Sequence, residues 1–290
     1  MANLRDLRLR MKAIRQTLQV TRAMDLISTA KLRKGRKILE DTEPYFNRIQ
    51  KSMGNILSGA GSVKSEFFNK VPEKPRSAII VVSSDRGLAG GFNANVFRQV
   101  HGLCEKLAHP ILVLIGSVGY RYFIHSPYII LENFSVQSKL PDLQLAQEIS
   151  DFIIAQFLWG VFDEVYIIYT HMYSAIKLIP VLTQILPLNA ETMRNSGDEG
   201  KANIIDFEYI PSKEAVFDTL APLYIKGVIY GAMVESYVSE QSARMSAMNE
   251  ASKNAEDLLA GLQIHYNRVR QAGITSEVSE IISGSAALND

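Results

Sequence analysis

The sequence has a single cysteine, Cys104, in the apolar setting HGLCEKL, so no disulfide can close within the chain and no cysteine cluster can hold a metal. That usage fits a reducing compartment, and a lone cysteine of this kind reads as a packing residue. Charge of one sign is also missing: 31 basic against 30 acidic residues leave a formal charge of +1. A general nucleic-acid binder needs a basic surplus for its phosphate contacts, so that class is excluded and any electrostatic role is local. Long hydrophobic runs are absent. The most apolar stretches, 152–162 and 179–188, fall far short of the roughly 20 residues a membrane span requires. The opening MANLRDLRLR lacks the apolar core of a secretory signal, and Asp6 argues against a transit peptide. What the chain does have is 47% hydrophobic residues in 290, enough for one substantial core plus something extended.

Glycine and proline are missing from 2–34, and Leu4, Leu7, Met11, Ile14 and Leu18 recur there at alternating steps of three and four, the seam of a coiled coil. Beyond Leu18 the strict seam meets Thr21, Asp25 and Ser28, while apolar residues move to Val20, Met24 and Ile27. The expectation is that the contact face shifts around the helix at this point, with a change of partner there. Gly35, Pro44 and Gly54 punctuate the continuation; a kink is expected at Pro44 and an end near Gly59 to Gly61. About 50 helical residues at 1.5 Å each reach roughly 75 Å. At the other end, Val234, Val238, Gln241, Met245, Met248, Ser252, Ala255, Leu259, Leu262, Tyr266 and Val269 keep one seam without a break. Two helices that bracket a domain in this way run antiparallel if they pair.

Between them the period changes. SAIIVVS at 77–83, ILVLI at 111–115 and VYIIYT at 165–170 are short continuous apolar runs, as in strands of a sheet covered on both faces. Helical patterns at 93–108, 118–125 and 143–157 alternate with them, a further strand is expected around 179–186, and NSGDEG at 195–200 reads as a loop. The fold class is α/β: a long antiparallel coiled coil of N- and C-terminal helices with a small Rossmann-like α/β domain between them. The expected boundaries are 1–60 for the first helix, 75–208 for the globular domain and 212–286 for the last helix.

The strongest sign of chemistry is SSDRGLAGGFN at 83–93, a glycine-rich turn between a strand and a helix, where nucleotide phosphates bind in other folds. Gly87, Gly90 and Gly91 give G-x-x-G-G, which is neither the dinucleotide fingerprint nor the P-loop, and no Lys-Ser/Thr pair follows. The plainer reading is a structural loop in which the glycines relieve crowding and Asp85 caps backbone N–H groups, with Arg86 beside it. Histidines 101, 109, 125, 171 and 265 show no metal-ligand spacing, and no G-x-S-x-G occurs. Neither a catalytic residue, a metal nor a cofactor is assigned. The basic run Lys31, Arg33, Lys34, Arg36 and Lys37 is either a solvated face or a surface for acidic loops of a surrounding protein.

Three blocks resemble the gamma subunit of F-type ATP synthases, the central rotor shaft of the catalytic head: IRQTLQVTRAMDLISTAKL at 14–32, SDRGLAGGFN at 84–93, and the stretch from Glu240 to Leu288 with EQSARMSAMNEASKNAEDLL, YNRVRQAGIT and EIISGSAAL. Gln19, Val20, Leu32 and Gly273 depart from the commonest pattern; Gly273 would loosen the helix by up to about 1 kcal/mol relative to Ala. The resemblance implies a bacterial-like, non-catalytic subunit whose paired helices enter a ring of three alpha and three beta subunits. Its middle domain would then sit with the epsilon subunit on the c-subunit rotor ring. Ion flow would turn the shaft, the active sites would lie on beta, and the complex would be peripheral on the cytoplasmic face of the bacterial plasma membrane. It also implies that Met24 and Arg244 act in coupling, that Arg270, Gln271 and Thr275 engage beta loops near the top, and that Lys31, Arg33 and Lys34 meet an acidic loop of beta. Two rivals are a nucleotide-binding α/β enzyme with helical dimerisation arms and a static scaffold.

Overall fold

The computed structural model describes residues 4–58, 63–68, 71–135, 140–175, 177–194 and 209–287; the expected loop at 195–200 and helix end at 59–61 lie outside them. Helix α1 is Leu4–Ser58 and helix α6 is Lys213–Ala287, with the helical assignment continuous past Pro44 and Pro222. Between them come β1 (Arg76–Val82), α2 (Phe92–Cys104), β2 (His109–Ile115), α3 (Ser117–Phe123), β3 (Ile129–Phe134), α4 (Leu143–Leu158), β4 (Glu164–Met172), β5 (Leu178–Leu186) and the short α5 (Ala190–Arg194). Packing divides the chain into two units, Met1–Ser28 with Met245–Asp290 and Thr29–Arg244.

In the larger unit the sheet order is β3-β2-β1-β4-β5, with β1 to β4 parallel and β5 antiparallel to β4. Every residue of β1 after Arg76 is buried, because alternate side chains feed two separate cores. Ala78, Ile80 and Val82 pack with α4 (Ile149, Ile153) and with α6 (Phe217, Ile225, Ile229). Ile79 and Val81 point the other way, to Val96, Phe97 and Val100 of α2 and Phe123 of α3. Each such Ile or Phe stabilises the unit by about 1.5–3 kcal/mol through the apolar surface it removes from water. The part of α1 in this unit lies against α6, and Gly35 permits a close approach: a Cβ there would stand 2.8 Å from Val238 Cγ2.

The starts of β1 and β4 are tied by one ion pair. Asp163 accepts from the Arg76 backbone N–H at 2.9 Å and from the guanidinium at 3.1 and 3.2 Å, and its own N–H donates to the Arg76 carbonyl. The side-chain bond from Arg76 holds the Asp163 carboxyl below the usual carboxylate range. A depressed carboxyl contributes stability that is present above its unfolded value, about pH 4, and is lost as pH falls through the folded value. Asp163→Asn is therefore expected to flatten the fall in urea midpoint between pH 7 and pH 3. An unchanged slope would assign the acid sensitivity to other groups.

In the smaller unit the α1 segment Leu4–Ser28 and the α6 segment from Met245 pack side by side. Arg8 donates to Tyr266 Oη at 2.6 and 2.9 Å, Thr21 Oγ1 bonds Ser252 Oγ at 2.7 Å, and Arg22 pairs with Glu256 at 2.5 Å. The pairs run in opposite chain order, so the segments are antiparallel. Met248, Ser252 and Ala255 are buried and Leu259, Leu262, Tyr266 and Val269 are half-buried, following the spacing noted above.

The expected change of contact face after Leu18 does not occur. Thr21 (7% exposed) and Ser28 (1%) stay on the packed side, while Val20 (54%), Leu26 (71%) and Ile27 (56%) face outward. Small polar side chains can fill the seam because Thr21 and Ser252 satisfy each other's hydroxyls, removing the cost of burying them alone.

Candidate functional site

The loop that follows β1 is built from the inside out. Ser83, buried, donates its hydroxyl to the Ile115 carbonyl at 2.9 Å and accepts the Gly119 N–H at 3.0 Å. Ser84 and Asn93 bridge the loop's ends: Asn93 Oδ1 accepts the Ser84 N–H at 3.1 Å, and Asn93 Nδ2 donates to the Ser84 hydroxyl at 2.7 Å. Asp85 does cap backbone, but it serves α3 and not the helix that follows the loop, accepting the Ser117 N–H at 2.9 Å and the Ser117 hydroxyl at 3.0 Å. Of the three loop glycines, only Gly90 has positive φ, at 56°; beside it Leu88 holds φ 65° and is largely exposed.

A nucleotide would sit at the carboxyl ends of the parallel strands. Those ends are covered by α6. Ser239 Oγ donates to the Thr170 carbonyl at 2.9 Å, Ser242 Oγ to the Ala175 carbonyl at 3.1 Å, and Arg244 Nη2 to the carbonyls of Arg86 and Gly87 at 3.2 Å each. The same Nη2 meets Glu240 Oε1 at 2.5 Å. The space left, lined by Lys31, Ser83, Asp85, Ser236, Glu240 and Arg244, is about 60 Å³. Sites for drug-sized ligands start at roughly 300 Å³, so the glycine loop has room for a few waters and none for a nucleotide.

Burial pushes the Glu240 carboxyl up, and the Arg244 guanidinium counters it; Asp85 adds to the rise and Lys31 opposes it. The structure thus brings together three expected residues, Lys31, Arg244 and Asp85, around one that the sequence did not single out, Glu240. It separates the basic run, since Lys31 is half-buried at this cavity while Arg33 and Lys34 are exposed.

The remaining expected contacts lie in the smaller unit. Met24 is half-buried and flanked by the outward-facing Val20, Leu26 and Ile27. Arg270, Gln271 and Thr275 are exposed; the Thr275 hydroxyl donates back to the Gln271 carbonyl at 3.0 Å, a bond within the helix. Among the described residues no three His, Cys, Asp or Glu side chains come together, and no helix is long and apolar enough to cross a membrane.

Known proteins resemble this chain along nearly its whole length. A family described as ATP synthase matches residues 3–288. An ATP synthase gamma chain of Acetivibrio thermocellus is 41% identical over 294 residues, covering 99% of this chain and all of its own. The sodium ion specific ATP synthase gamma chain of Acetobacterium woodii is 37% identical, covering 99% of each. Among solved structures, a chain of the Euglena gracilis mitochondrial ATP synthase (OSCP/F1/c-ring) shares the fold with a TM-score of 0.70 at 15% identity. It covers 98% of this chain and 94% of its own.

Proposed function

Because this chain belongs to the ATP synthase gamma chain family, we propose that its end helices wind as an antiparallel coiled coil and that its outward apolar face drives the catalytic subunits. It is the non-catalytic central-stalk subunit of an ATP synthase, a membrane-associated complex, and works with the other subunits of that complex in ATP synthesis and ion transport. In the finer reading the stalk stands inside a ring of three alpha and three beta subunits. The α/β domain, which follows α1 and precedes α6 in the chain, rests with epsilon on the c-subunit ring at the cytoplasmic face of a bacterial plasma membrane.

The observation that carries this reading is the inversion in the smaller unit. α1 buries Thr21 and Ser28 against its own chain and leaves Val20, Leu26 and Ile27 to solvent. Val20 and Ile27, seven residues apart, share one exposed helix face, with Leu26 exposed beside it, and exposed apolar side chains so grouped mark a surface for another protein. A stalk can shift its neighbours only by contacting one of their conformations better than another, and a helix with one apolar side has the asymmetry this needs. Met24, Arg33, Lys34, Arg270, Gln271 and Thr275 are the other contacts proposed for that surface.

Ile27→Asp tests the proposal. The exposed site predicts a change in the free chain's stability of only about 0.5 kcal/mol, while ATP-driven ion pumping by the assembled complex drops roughly tenfold, as a charge is pressed into an apolar contact. Full pumping by the variant complex would show that this face is not a working contact.

A further inference from the structure

We propose that Glu240 is a positioning residue, which holds Arg244 on the carbonyls of Arg86 and Gly87 so that the loop after β1 is carried rigidly by α6. This rests on the reading of α6 as the stalk helix. On an ordinary helix surface a Glu and an Arg four residues apart form a weak solvated pair. Here the two side chains keep only 14% and 12% of their surface exposed, and one nitrogen is asked to serve three acceptors. Nη2 of Arg244 carries two hydrogens; the 2.5 Å contact to Glu240 takes one, and the two carbonyls at 3.2 Å share the other. Glu240 therefore fixes the direction of the hydrogen that reaches the loop.

Charge explains why a carboxylate is needed. Lys31, Arg86 and Arg244 all line the cavity, with Asp85 and Glu240 as its acids. Asp85 is committed to the start of α3 through Ser117. Without Glu240, three cations would face one engaged carboxylate, and repulsion would turn the long guanidinium outward. The loop it holds is otherwise braced at its ends, by Ser84 with Asn93 and by the Ser84 hydroxyl donating to the Arg86 carbonyl at 2.8 Å. Arg244 supplies the link to α6, and beyond the clamped carbonyls stands Leu88, exposed in the left-handed region. A residue held in that region persists where its surroundings determine it.

The test uses the full complex with Glu240→Gln, Glu240→Ala, Arg244→Ala and the Glu240→Ala/Arg244→Ala double variant. Amide hydrogen exchange at 86–91 is measured alongside the ratio of ions pumped to ATP hydrolysed. Each single variant is expected to speed exchange there roughly tenfold, the factor for losing one charge-assisted bond, and the double to be no faster than Arg244→Ala alone. Exchange that stays at the parental rate in every Glu240 variant that assembles overturns the proposal, as does a double variant whose effect is the sum of the singles. Faster exchange with the pumping ratio unchanged upholds the clamp and counts instead against a part for this loop in coupling. Glu240→Gln covers the case in which the alanine fails to assemble, since it keeps the shape and an acceptor oxygen.

Discussion

Gly116→Ala is expected to cost the larger unit about 3–5 kcal/mol, a large share of the roughly 5–15 kcal/mol that holds a domain folded. Two independent effects add. Gly116 sits at φ 99°, ψ 141°, between β2 and α3, a conformation that side chains with a Cβ resist by about 1–3 kcal/mol. A Cβ built there would also lie 2.3 Å from the Ser83 carbonyl oxygen, and that atom is backbone in a strand end with nowhere to retreat. Ser83 is held by its N–H to the Ile115 carbonyl and by its hydroxyl, so relief at one point breaks another. Chemical denaturation of the full chain would report a lower midpoint, while Gly160→Ala, at positive φ but with open space around it, should cost only the backbone share. Equal losses in both variants would show that the contact with Ser83 adds nothing.

The sequence reveals most where a residue's burial follows from its own chemistry. The strands β1, β2 and β4 are continuous apolar runs that admit one environment, and their expected positions differ from the observed ends by a few residues. β3 was not foreseen: its run is broken by Glu132 and Asn133, and it lies at the sheet's edge, where Ile129 stays in solvent. After Leu18 the apolar Val20, Leu26 and Ile27 of α1 leave the seam, and the polar Thr21 and Ser28 occupy it. The hydroxyls of Thr21 and Ser252, 231 positions apart, pair across that seam, a contact no single-segment pattern contains. Glu240 is hidden in the sequence for a related reason. In sequence it is an ordinary acid four residues before an arginine, and only the strand ends beneath α6 make it buried. The glycine loop's spacing is wrong for phosphate, and its Asp85 serves a different helix from the adjacent one.

We propose that this central-stalk subunit turns inside the catalytic ring, and the sequence's one cysteine makes a clean test possible. Cys104 is buried, and desolvation lifts its thiol to about 11, so it does not compete with an engineered thiol at neutral pH. Ile27→Cys places a thiol on the outward apolar face, 56% exposed in the free chain. In the purified complex it would be oxidised to a cysteine engineered on the facing subunit of the catalytic ring, and ATP hydrolysis followed before and after reduction. A stalk fixed by one covalent bond can no longer present its apolar side to each catalytic site in turn. Turnover is expected to stop when the crosslink forms and to return when it is reduced; turnover that continues undiminished with the crosslink in place would leave a static scaffold.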